Sequence, residues 1–135
     1  MKRAVVDTNV LVSGLLRPDN PPGRILDLVL AGELQPIFDD RILREYRQVL
    51  RRPRFHFHEG AVADLMDYLE RFGWLLAAPT LAVRLPDPKD LMFLEVAAES
   101  VSPLITGNLR HFPPEVIDTL GVQVLSPMEF MELDL

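Results

Sequence analysis

The chain has 135 residues, the size of one domain, and its 48% apolar and 25% charged residues are the composition of a folded globular chain rather than a disordered one. It contains no cysteine, which excludes disulfides, thiolate zinc sites, iron–sulfur ligation and a cysteine nucleophile. Its 14 basic and 20 acidic residues leave a net charge of −6, so a nucleic-acid partner needs a local arginine cluster or bound cations to offset the acidic balance.

The N-terminal Met1-Lys2-Arg3 leads into only a few apolar residues before Asp7, not into the apolar core of a signal peptide. Ala4 to Val6 is an apolar run that predicts a buried strand. A helix is expected over Val10 to Leu16, then a loop over Arg17 to Gly23, rich in proline. Arg24 to Ala31 predicts a second helix with Gly32 as its stop, and Leu34 to Phe38 a second strand. Asp39 or Asp40 then caps a helix running to about Arg52, where Pro53 ends it.

Glu59 to Phe72 is a further helix, closed by Gly73, and Trp74 to Ala77 a short extended piece. The greasy stretch Trp74 to Val83 is ten residues long and holds Pro79 and Thr80, too short to span a bilayer, so a soluble cytoplasmic protein is expected. A helix over Lys89 to Glu99 follows the loop Pro86-Asp87-Pro88. Strands are expected at Pro103 to Thr106 and Val122 to Leu125, separated by a helix at Pro114 to Leu120. Ser126-Pro127-Met128-Glu129 reads as a capping box with proline at the first helical position, opening a last helix.

Short, continuously apolar strands alternating with helices imply an α/β domain, a three-layer α/β/α arrangement around a central, mainly parallel sheet of four or five strands. Val5, Ile37, Ile105 and Val124 are placed in its central strands. Ligands of such sheets bind beyond the carboxyl ends of the strands, so the polar residues there carry the interest.

Five positions stand out, each with a plain structural alternative. Asp7 follows the first strand, where it serves as a helix cap or as a cleft acid. Glu45 lies at the edge of the apolar arc of its helix, where it either pairs with Arg41 on the rim or enters a cleft. Asp87 and Asp90 flank a helix start, a common place for acids that favour the helix dipole. Thr106-Gly107-Asn108 ends a strand, as a simple turn or as a group offering Asn108 as a neutral ligand or an anchor for water. The three histidines, His56, His58 and His111, lack the HExxH spacing of a histidine-rich zinc site.

The joint order of these pieces resembles the PIN domain, and in particular the bacterial PIN proteins that serve as toxins of type II toxin–antitoxin systems (VapC-like). The matching pieces are Val6-Asp7-Thr8-Asn9-Val10-Leu11-Val12-Ser13, Leu43-Arg44-Glu45-Tyr46, Pro86-Asp87-Pro88-Lys89-Asp90 with Phe93-Leu94 and Ala97, Ile105-Thr106-Gly107-Asn108-Leu109-Arg110-His111-Phe112, and the closing Val124 to Phe130. The resemblance covers essentially residues 1–135 as one domain. It implies a metal-dependent endoribonuclease in which Asp7, Glu45 and Asp90 hold Mg²⁺ or Mn²⁺. Asn108 stands where many PIN domains carry a fourth aspartate, and Asp87 is placed around the ligands or as a replacement for the missing charge. A cognate antitoxin protein and a homodimer are implied as well.

The chemistry of the residues agrees, because hard divalent cations prefer carboxylate oxygens and need neither cysteine nor spaced histidines. Six arginines fall between Arg41 and Arg54, and Arg44, Arg47 and Arg51 share one helix face. That face is either solvated or a strip that guides RNA phosphates next to Glu45, with Arg110 and His111 beside Asn108. Single-stranded or looped RNA is the expected substrate, since arginine both stacks on bases and grips phosphates. Two other classes remain in view. A phosphoacceptor receiver domain needs an acid cluster near the first strand and a lysine after the last, but Asp7 stands alone and the last strand leads to Ser126-Pro127. A catalytically weak or silent PIN-like protein-binding module is the alternative that the uncharged Asn108 leaves open.

Overall fold

The computed structural model describes residues 2–133. Five strands, β1 (Lys2–Val6), β2 (Leu34–Phe38), β3 (Trp74–Leu75), β4 (Leu104–Ile105) and β5 (Val124–Leu125), form one sheet in the order β3-β2-β1-β4-β5. Every pairing is parallel, with Val5 opposite both Ile37 and Leu104, and Ile37 opposite Trp74. The helices are α1 (Thr8–Leu16), α2 (Pro21–Leu30), α3 (Asp40–Leu50), α4 (Glu59–Phe72), α5 (Leu91–Ser100), α6 (Pro114–Leu120) and α7 (Pro127–Leu133). The result is the expected three-layer α/β/α fold.

Ala4, Val5 and Val6 are consecutive and all buried, which requires helices on both faces of β1. One cover is α5, packed across β1, β2 and β4; α2 packs on β2 and against α1 and α7. Val5, Ile37 and Ile105 are solvent-free, as expected of central strands. Val124 is not: β5 is an edge strand, and Val124 is only half-buried.

Several boundaries differ from the sequence expectation for physical reasons. Helix α2 begins at Pro21 rather than Arg24, because proline's missing N–H costs nothing in a first helical turn. The helix expected from Lys89 divides into a 3₁₀ turn, Pro88–Asp90, and α5. Within Trp74 to Ala77 only Trp74 and Leu75 pair, and they supply the fifth strand by adding to β2. The capping box at Ser126 forms reciprocally: Glu129 N–H donates to Ser126 Oγ at 3.1 Å, and Ser126 N–H to Glu129 Oε1 at 2.9 Å. Among the described residues no helix is long and apolar enough to cross a membrane.

The strand order reverses beside β1. The chain steps outward from β1 to β2 and β3, then returns to lay β4 on the other flank of β1. In open parallel sheets such a reversal is where the ligand crevice is expected, here beyond the carboxyl ends of β1 and β4. Asp7 ends the first of these strands and Thr106 the second.

Candidate active site

Asp7 is buried and performs two tasks at once. As the N-cap of α1 it accepts from Asn9 N–H at 3.4 Å, and its other oxygen accepts from the Thr106 hydroxyl at 2.8 Å. The cap and the cleft acid, alternatives in the sequence, are therefore one residue. Burial pushes the Asp7 carboxyl up to about 6; the charges of Asp90 and Glu45 add to the rise, and the Thr106 and Asn9 hydrogen bonds oppose it.

Glu45 reaches the same crevice from α3. Ile42, Tyr46 and Leu50 bury one face of that helix, and the Tyr46 hydroxyl donates to the carbonyl of Val6, one residue before Asp7. Glu45, the neighbour of Tyr46, accepts a short hydrogen bond from the Thr8 hydroxyl. Burial raises the Tyr46 hydroxyl well above its ordinary range, and the charges of Asp7, Glu45 and Asp39 add to the rise. Arg41 is not the partner of Glu45. It binds Asp39 at 2.6 Å and the buried Glu95 at 2.8 Å instead.

Asp90 enters from the start of α5. It makes no capping hydrogen bond; the cap of the 3₁₀ turn is Asp87, which accepts from Lys89 N–H at 3.0 Å. Asp90 instead lies 2.7 Å from His111 Nδ1, and the other ring nitrogen of His111 lies 2.8 Å from the Asn108 amide nitrogen. Burial raises the Asp90 carboxyl above its usual range; the hydrogen bond and charge of His111 oppose the rise, and Asp87 adds to it. The ligand atoms of Asp87, Asp90 and His111 all come within 4.8 Å of one another. Asp87 thus stands beside Asp90 and His111.

Two turns are sewn together beneath this cluster. Asn9 Oδ1 accepts from Gly107 N–H at 3.0 Å, and Thr106 Oγ1 accepts from Asn108 N–H at 3.0 Å while donating to Asp7. A Cβ on Gly107 would sit 3.3 Å from Asn9 Oδ1, so the turns meet closely there. The sequence placed Asn9 and Thr106 in the motifs but gave them no such work, and gave none to Glu95.

The arginine face is mixed. Arg44 and Arg51 are exposed, whereas Arg47 pairs with Glu70 of α4 at 2.7 Å. Arg110 is exposed beside the Asn108 turn. Phe55 and Phe57 stack at 5.5 Å between ring centroids, half-buried, and Phe57 packs against the core.

A family model for the PIN domain matches residues 3–110, a span that holds Asp7, Glu45, Asp87, Asp90 and Asn108. This chain belongs to the PIN domain family. It is 29% identical over 139 residues to the uncharacterized protein MJ1680 of Methanocaldococcus jannaschii, covering 96% of this chain and 90% of that protein. Its fold is similar to a chain in the crystal structure of VapBC2 from Rickettsia felis bound to a DNA fragment from their promoter. The TM-score is 0.60 at 13% identity, covering 92% of this chain and 98% of that one.

The PIN crevice has the donor chemistry of a hard-cation site: carboxylates backed by hydroxyls and an amide. Among the described residues Asp7, Glu45 and Asp87 have no lysine or arginine ion-pair partner, and two of the carboxyls, Asp7 and Asp90, are raised in part by neighbouring acids. Acids gathered this way repel until a cation joins them, so the residues fit a divalent metal.

Proposed function

We propose that this PIN domain, spanning residues 1–135, is an endoribonuclease that hydrolyses RNA phosphodiester bonds with Mg²⁺ or Mn²⁺ held by Asp7, Glu45 and Asp90. Asp87 supports that set from the 3₁₀ turn and Asn108 borders it. The observation that carries the reading is that the charges of Asp90 and Glu45 bear on the buried Asp7, while neither Asp7 nor Glu45 has a lysine or arginine ion-pair partner among the described residues. A divalent cation bound there supplies a lowered pKa to a bound water and charge stabilisation to the leaving oxygen.

The chain's own residues do the rest. Thr8, Thr106 and His111 fix the carboxylates through hydrogen bonds. Arg44, Arg47, Arg51 and Arg110, with the Arg17 to Gly23 segment, receive the phosphates of single-stranded or looped RNA, because metal-held carboxylates read no base. Membership in the PIN family, whose members are generally nucleases, supports this reading. The likeness to a VapBC2 chain supports a toxin role in the cytoplasm with a cognate antitoxin as partner, and a homodimer completes the proposal.

The test is cleavage of an RNA panel by the purified protein with Mn²⁺ and with chelator. Cleavage that needs the cation and disappears in Asp7→Asn is the expected result. RNA left intact by the wild type with Mn²⁺ would instead identify a silent binding module.

A further inference from the structure

Asp90 is an unusual ligand candidate because its own helix does not hold it. It is the residue before α5, yet its carboxylate makes no cap bond; its hydrogen-bond partner among the described residues is His111, at 2.7 Å. His111 sits in the 3₁₀ turn Leu109–His111, fixed below by the buried Phe112 and by its own N–H, which donates to Asn108 O at 3.1 Å. It lies one position past the span that the family model matches.

The ring's tautomer follows from its two neighbours. Asn108 Nδ2 offers only hydrogens, so its contact with Nε2 calls for that nitrogen as the acceptor. A neutral ring in this arrangement carries its proton on Nδ1, facing Asp90. An aspartate at position 108 would demand the opposite tautomer or a doubly protonated ring. Asn108 in turn is held by its backbone N–H on Thr106 Oγ1, and Thr106 donates to Asp7. One chain of contacts thus runs from Asp7 at the end of β1, through Thr106, Asn108 and His111, to Asp90 at the start of α5.

We propose that His111 is a positioning residue that aims the Asp90 carboxylate at the metal, with Asn108 fixing its tautomer rather than serving as a ligand in place of a fourth acid. The inference rests on the reading of Asp90 as a metal ligand. Removing a group that orients a ligand this way typically weakens metal binding about 10–100-fold.

Mn²⁺ binding by the full chain, followed by calorimetry and by EPR of the bound ion, separates the roles. In His111→Asn the amide nitrogen takes the place of Nδ1 and can still donate to Asp90; in His111→Gln it takes the place of Nε2 and cannot. Binding within about 3-fold of wild type in His111→Asn, with about a 10-fold or greater loss in His111→Gln and His111→Ala, is expected. Thermal melts without metal establish that each variant folds. Equal affinity in all three overturns the proposal, and so does nitrogen coupling in the pulsed EPR of Mn²⁺, which would make His111 a direct ligand. Asp90→Asn distinguishes the parent reading: if it binds Mn²⁺ as the wild type does, or if the wild type binds none, Asp90 is not a ligand and both statements fall.

Discussion

Burying Asp7 at the end of β1 costs the folded chain stability whenever that carboxylate is ionised. Its folded pKa of about 6 lies above the ordinary value of 3.8, so between those values the native state holds more protons than the unfolded one. The contribution of Asp7 is therefore most favourable below about pH 4 and is lost as pH rises through 6. Asparagine caps a helix as well as aspartate and carries no charge. Asp7→Asn is expected to stabilise the chelated protein at pH 7.5 by on the order of 2 kcal/mol, or roughly 5 °C in Tm, with the gain vanishing near pH 4. Thermal denaturation at the two pH values decides it; a variant less stable at pH 7.5 would show that the carboxylate is not strained. At this scale the sequence revealed the acids, because Asp7, Asp87 and Asp90 sit at a strand end or helix start and Glu45 at the edge of an apolar helix arc, places that motif order can mark. It hid what holds them. The Thr106–Asp7 bond spans 99 positions and the His111–Asp90 bond 21, and no local pattern encodes either contact.

Elements bounded by local chemistry were the legible ones. Glu59–Phe72 and Leu34–Phe38 have the limits expected of them, since apolar periodicity runs up to a glycine or an aspartate and stops. Strand β3 was legible only as an extended piece, because two residues become a strand through pairing with β2. Glu95 read as one more helical acid, yet it is buried and accepts from Arg41 at 2.8 Å and from Leu81 N–H at 2.7 Å, tying α5 to α3 and to the segment after β3. Glu95→Leu strands the Leu81 N–H and half of the Arg41 contacts, and a loss of about 2–3 kcal/mol in a urea titration is expected. A loss below about 0.5 kcal/mol would mean the tie is ornamental. The arginine face of α3 has a different test. Arg47 already spends charge on Glu70, so replacing Arg44, Arg47 and Arg51 together by glutamine is expected to lower the salt slope of single-stranded RNA binding by about two, while Mn²⁺ binding stays unchanged. An unaltered slope would make this face a solvated surface.

At the scale of the whole molecule, the −6 net charge ceases to argue against an RNA substrate once a cation occupies the carboxylates, because the local field there reverses. The same cation also binds the native state alone. Mn²⁺ at about 100 times its Kd is expected to add about 2.7 kcal/mol to the wild type and nothing to Asp7→Asn, read as a shift in Tm. Equal shifts in both proteins would place the ion elsewhere. The sheet order that makes the crevice has a further effect, on time. Because β4 must return to the flank of β1, Asp7 waits 99 residues for Thr106. At synthesis rates of about 5–20 residues per second, that wait is roughly 5–20 s. Throughout it the growing chain carries Asp7, and from position 45 onward Glu45 as well, but has neither Thr106 to anchor the first nor His111 to hold Asp90. A chain that cuts RNA by the proposed means therefore gains its full set of site residues only in the last quarter of its synthesis, when the strand that flanks β1 and the turn after it have been made.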